Sequence, residues 1–264
     1  MNKKTTSTFT KMDNGNIEII YTIPVDLIAT NREIVIKKMA KDIVVPGFRK
    51  GMAPVTKVVE KIDENKINKQ ILGLILPLAF ADSVKEHKFN PAIYPKFEVI
   101  KIGQGSEWEI KAITCELPQV VLPKNYKKNL KKDSKDQNVL IKSLLETIKL
   151  EIPRVLIEEE VNARLSQVLD RIEKLGLALE GYLKSVGKTA EILRAEYEVQ
   201  AKDSISLELI LNTIASDEKI EVTEKEIDDF IKSTGSELNQ VEKGQRDILK
   251  RVILRKSALE KLSK

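Results

Sequence analysis

The chain of 264 residues contains one cysteine (Cys115), one histidine (His87) and one tryptophan. A single thiol excludes a disulfide framework and any cysteine-rich zinc site. A single imidazole excludes most metal centres, and every Ser-His or Cys-His pair that His87 does not itself supply. Aromatic residues are scarce, at 5%. No run of 18 apolar residues occurs, and the densest stretch, Ile71 to Ala81, is too short to span a bilayer. Lys3 and Lys4 have no apolar core behind them, which argues against a secretory signal. These absences lead to the expectation of a soluble, cytoplasmic protein that is not an enzyme. No membrane partner, metal, cofactor or catalytic group is expected.

Charge and aliphatic bulk are what remain. Charged residues make up 32% of the chain and hydrophobic ones 42%, a balance suited to long solvated helices packed by Leu, Ile and Val stripes. The net charge of +5 is unevenly laid out. Residues 1–122 carry 18 Lys and Arg against 14 Asp and Glu, residues 123–142 carry seven Lys against two Asp, and residues 143–264 carry 20 against 24. A basic front half suits an anionic surface such as nucleic acid. An excess of this size is equally consistent with a solvated surface.

Local signals divide the chain. Asp13-Asn14-Gly15-Asn16 is a tight-turn sequence, followed by the alternation Ile17, Ile19, Tyr21, Ile23 of a strand. Pro24 ends that strand, and Asp26 is placed to cap a helix running to about Val44. Val45-Pro46-Gly47 stops it, and Pro54 suits the first turn of a helix containing Val55, Val58, Val59 and Ile62. A longer helix is expected over about 65–87, with Pro77 as a kink. Strands over 97–102 and 108–112 flank Gly103-Gln104-Gly105-Ser106. The fold class expected is α+β: an N-terminal antiparallel sheet with helices and a protruding helix–helix loop, then an elongated all-α region. Helices are expected over about 157–172 and 189–215, from the capping box Thr223 to Glu226, and over about 248–259, with a short helix or turn over 179–186. The expected divisions are residues 1–122, a lysine-rich linker over 123–139, and a helical domain over 140–264.

Most candidate sites are weak. His87 and Cys115 stand alone and read as a packed or surface histidine and a small hydrophobe. Gly103-Gln104-Gly105 lacks the third glycine and following helix of a dinucleotide site. Gly176 to Gly181 is followed by Tyr182 where a phosphate loop needs lysine, and Glu158-Glu159-Glu160 point in different directions from a helix. The unusual stretch is Val45-Pro46-Gly47-Phe48-Arg49-Lys50-Gly51-Met52-Ala53-Pro54. Pro-Gly and Gly-Pro brackets stiffen the ends of a helix–helix loop whose tip offers one ring beside two cations. An apolar anchor with Arg and Lys is what docking on a mixed protein and RNA surface requires. The other reading is an ordinary interhelical turn with Phe48 tucked into the core.

Gly47-Phe48-Arg49-Lys50-Gly51 followed by Pro54 resembles the signature loop of the trigger factor family, ribosome-associated chaperones of bacteria. The element order of residues 1–122 is similar to that family's ribosome-binding domain. Residues from about 140 to 264, notably Leu150-Glu151-Ile152-Pro153 and the Leu156 to Ile172 helix, resemble its helical chaperone domain. The resemblance implies ribosome contact by Phe48, Arg49 and Lys50, flanked by Gly47 and Gly51. Met52 departs from the lysine commonly found there. Typical members also insert an FKBP-like prolyl-isomerase domain between the halves, whereas here only residues 123–136 separate them, too few for a folded domain.

The resemblance therefore implies an ATP-independent holdase without isomerase activity, docked on the large ribosomal subunit at the exit tunnel through protein and rRNA. Its partners would be unfolded or nascent polypeptides, with a homodimer left open. A ribosome-independent chaperone and a basic RNA-binding module built on the Lys124 to Lys135 run are the alternatives. That run interleaves only Tyr126, which suits stacking on bases poorly.

Overall fold

The computed structural model describes residues 4–44, 46–49, 54, 57, 59–131, 136–234 and 241–263. The chain divides into two compact units, Met1–Leu117 and Pro118–Lys264.

In the first unit, β1 (Thr6–Lys11) and β2 (Asn16–Ile23) form the hairpin that Asp13 to Asn16 announces. Gly15 takes φ +79°, a left-handed turn conformation that glycine adopts without strain. The Asn16 amide donates to Asn14 Oδ1 at 3.0 Å. Pro24 then occupies the N-cap of α1 (Val25–Ala40). Asp26 therefore does not cap this helix as expected: it lies in the first turn, where its charge favours the positive end of the helix dipole. The helix also stops at Ala40, short of Val44. α2 (Glu64–His87) is capped by Asp63, whose carboxylate accepts from the Asn65 amide at 2.9 Å. It continues through Pro77. Val55 and Val58, in the helix expected after Pro54, lie outside the described residues. β3 (Lys96–Lys101) and β4 (Trp108–Cys115) complete an antiparallel sheet of order β1-β2-β4-β3.

Register explains the core. Ile19 faces Ala112, Tyr21 faces Ile110 and Ile23 faces Trp108, so the period-two pattern turns one apolar face toward Ile67, Ile71 and Ile75 of α2. On length and composition alone α2 could cross a membrane. Its buried residues instead pack against the sheet. Tyr21 donates to Ser83 Oγ at 3.1 Å within this core, and burial raises its pKa.

The second unit is helical among its described residues: a short 3-10 helix (Tyr126–Asn129), then α3 (Gln137–Thr147), α4 (Arg154–Lys174), α5 (Leu179–Ser185), α6 (Ala190–Asp217), α7 (Glu224–Ser233) and α8 (Lys243–Ser263). Thr223 and Glu226 form the reciprocal capping box, the Thr223 amide donating to Glu226 Oε2 at 2.7 Å. Gly176, with φ +67°, follows the end of α4.

Two apolar side chains of the lysine-rich segment are packed rather than solvated. Tyr126 and Leu130 are buried with Leu140, Leu144, Ile210 and Ile214 in the core of this unit, because two apolar side chains pinned beside α3 and α6 remove more surface from water than a solvated linker would. Lys127 pairs with Glu218, and Lys261 reaches the same carboxylate at 2.8 Å. The two ammonium groups, Lys127 first, hold the Glu218 pKa at about 2, well below its ordinary value of 4.5. A carboxylate depressed on folding adds stability above its unfolded pKa and loses it as pH falls through the folded one. The helical unit is thus expected to lose stability between about pH 4.5 and pH 2. Glu218→Gln flattens this part of the profile, as circular-dichroism melts across that interval will measure.

Candidate functional site

The loop between α1 and α2 is held at its base. Arg32 of α1 donates two hydrogen bonds to the Glu64 carboxylate at the start of α2, that from Nη2 being 2.9 Å long. The paired geometry matches guanidinium to carboxylate. It lowers the Glu64 pKa, the Arg32 hydrogen bond being the largest cause, and raises that of Arg32. Asp63 caps α2 immediately before this pair. The end of α1 carries Lys37 and Lys38 in its last turn, where cations favour the helix dipole.

Beyond α1, the Asp42 amide donates to the Met39 carbonyl at 3.1 Å. The chain then reaches the Pro46-Gly47 turn. Gly47 has φ +85° with nothing within 4 Å of an added Cβ, so backbone conformation, not crowding, demands glycine. Phe48 is 43% exposed and Arg49 is exposed beside it. Of the five residues singled out, Gly47, Phe48 and Arg49 therefore share one exposed turn. Lys50 and Gly51 lie outside the described residues, as does Met52. An aromatic ring left in water next to a guanidinium offers apolar contact and a carboxylate- or phosphate-binding fork in one place.

The sequence reading missed Val44. It is 67% exposed on the stem of the loop, and helical periodicity had placed it on the last turn of α1. An apolar residue two positions before Pro46, where a helix is already ending, was the available signal.

The remaining candidates are structural. His87 stacks on Phe9 with ring centroids 4.5 Å apart. Cys115 is buried, and burial pushes its thiol up to about 11, far from the thiolate a nucleophile needs. Gly103 accepts from the Trp108 indole at 2.9 Å within the β3–β4 turn. Glu158 and Glu160 pair with Arg154 and Arg164 along α4, at 2.9 and 2.8 Å. In the lysine-rich run the one ring, Tyr126, is buried and is not offered to a base.

Trigger factor of Streptococcus mutans serotype c is 27% identical over 191 residues, 72% of this chain and 42% of that protein. Trigger factor of Streptococcus agalactiae serotype Ia is 28% identical over 208 residues, 77% of this chain and 44% of that protein. Trigger factor of Clostridium beijerinckii is 28% identical over 185 residues, 62% of this chain and 42% of that protein. The chain thus spans less than half the length of these relatives. In fold it is similar to a trigger factor chaperone solved in a study of promiscuous substrate recognition in folding and assembly. The TM-score is 0.64 at 12% identity, covering 97% of this chain and 99% of that one. The family model described as bacterial trigger factor protein matches residues 5–150, and that of the bacterial trigger factor protein C-terminus matches residues 122–264. The two matches overlap, so no stretch of chain lies between them for an isomerase domain. Each takes in more than half of the residues, and the chain belongs to the trigger factor family.

Proposed function

We propose that the chain is a ribosome-associated, ATP-independent chaperone that docks beside the peptide exit tunnel and shields apolar segments of nascent chains, without isomerase activity. The observation that carries docking is the exposure of Phe48 beside Arg49 on a turn set by Gly47; an ordinary interhelical turn would bury the ring. Ribosomal protein carboxylates and rRNA phosphates are the groups such a tip fits.

Shielding is supported by the second unit. Leu169, Leu175, Leu177, Leu179, Val186 and Ile192 are all at least 39% exposed, and they fall between the last turns of α4 and the start of α6. Single exposed apolar residues are ordinary, but a run along one end of a helical unit marks an interaction surface. Weak, adaptable contacts there suit many sequences that must enter and leave.

The test joins two readouts on the intact chain. Co-sedimentation with bacterial ribosomes is expected at physiological salt. Delayed light scattering from an aggregating client is expected without ATP. Scattering suppression without pelleting supports a ribosome-independent chaperone instead. Binding to naked RNA with a steep salt dependence supports the RNA-binding reading.

A further inference from the structure

The sheet of the first unit leaves part of its helix-facing side uncovered. Register sets Val99 opposite Ile110 on the same face, yet Ile110 is fully buried while Val99 is 58% exposed. A groove of about 780 Å³ opens here between α2 and β3, lined by Leu72, Leu76, Tyr94, Phe97, Val99 and Ile102 among others. β3 is the last strand in the order, so its outer row of backbone N–H and C=O groups has no strand partner among the described residues.

Two more acceptors belong to the groove. Pro77 has no N–H to give to the Gly73 carbonyl one turn earlier, and both residues line the groove. Open space surrounds Gly73, an added Cβ meeting nothing within 4 Å. Asn68 Oδ1, also at the groove, is buried without a hydrogen-bond partner among the described residues. Charge gives this side of the sheet a sign. Lys69 stands in the lining and Lys101 ends β3, neither with an ion pair among the described residues, whereas Glu98 is engaged by Lys111 at 3.0 Å and Lys96 at 3.7 Å.

We propose that this groove binds an extended polypeptide segment with alternating apolar side chains and an acidic flank, added as a further strand on the β3 edge. A helical segment satisfies its own backbone groups and would leave the strand edge unpaired. An extended one pairs with the edge and sends every second side chain into the groove. Its acidic flank meets Lys69 and Lys101. The register shift between Val99 and Lys101 and the edge lysines oppose permanent pairing, so the segment exchanges. This site stands on its own geometry and does not rest on ribosome docking.

The probe is a fluorescein-labelled peptide, Asp-Glu-Val-Thr-Val-Thr-Val-Asp-Glu, titrated by anisotropy against the full chain. Saturable binding is expected. Val99→Glu and the pair Lys69→Glu/Lys101→Glu are each expected to weaken it by about tenfold or more, with melting curves confirming that the variants fold. A peptide N-methylated at alternate amides on the edge that pairs with β3 loses binding, while methylation of the opposite amides leaves it intact. Equal binding of the two methylated peptides, or equal affinity of the parent and both variants, overturns the proposal. Sedimentation of the peptide-free chain covers the other occupant: a dimer that Val99→Glu converts to monomer assigns the groove to a second copy and overturns it likewise.

Discussion

Phe48→Ala/Arg49→Ala/Lys50→Ala is expected to abolish co-sedimentation with ribosomes, with affinity falling by at least about a hundredfold. That magnitude follows from what each side chain can offer. A ring that is 43% exposed in the free chain still has surface to bury in a complex, and a buried aromatic anchor contributes on the order of 2 kcal/mol or more. Arg49 adds charge-assisted hydrogen bonds of about 1.5–3 kcal/mol if they form out of water. The losses are not additive, and a hundredfold is the conservative sum. Phe48 and Arg49 stand on an exposed turn outside the core, so the melting temperature and helicity of the variant are expected to match the parent. If cations meet rRNA phosphates, the slope of log affinity against log salt also shrinks, by about one for each phosphate no longer neutralised. A folded triple variant that still pellets with ribosomes removes the loop from the mechanism. Intact scattering suppression by the same variant would then separate shielding from docking.

Ile19→Ala is expected to destabilise the first unit by about 3–4 kcal/mol. Ile19 has no exposure, sits on a central strand with β1 on one side and β4 on the other, and faces Ala112 across the pair. A small partner leaves little side chain that could move into the space vacated, so the cavity persists and adds to the lost transfer energy. Ile19→Val, which removes one methylene, is expected to cost about 1 kcal/mol. Urea unfolding followed by the fluorescence of Trp108, the single tryptophan, reads this sheet directly. The midpoint shifts and the slope stays constant if only stability changes. A shift below about 1 kcal/mol for Ile19→Ala would show that the site collapses around the deletion.

Local chemistry was the legible part of this chain. Asp13 to Asn16 could only reverse it tightly, and Thr223 with Glu226 could only begin a helix, because each uses contacts between residues three positions apart or fewer. The alternation from Ile17 to Ile23 likewise identified the buried face of β2. The order β1-β2-β4-β3 was not readable, since nothing in a period-two pattern says which strand lies beside which. Tyr126 and Leu130 were also out of reach: two apolar residues among lysines are too few for a period, and their burial depends on α3 and α6 arriving from elsewhere in the sequence. At the loop, the composition of Gly47, Phe48 and Arg49 singled the stretch out but left open whether the ring is exposed or tucked into the core. The Arg32–Glu64 pair that ties its base joins residues distant in sequence and was invisible. Val99 escaped notice for a related reason. Its place in the alternation implied burial, and only the path of α2 leaves it uncovered.

The buried Cys115 gives the chain its own reporter of opening. Because the thiol lies on β4 without exposure and titrates near 11, an added alkylating reagent must wait for the strand to come free and the thiolate to form. No other cysteine competes for the label. The labelling time of the native protein therefore measures how often the sheet unit breathes. The helical unit contributes nothing to that signal, so one half of the molecule can be watched while the other works.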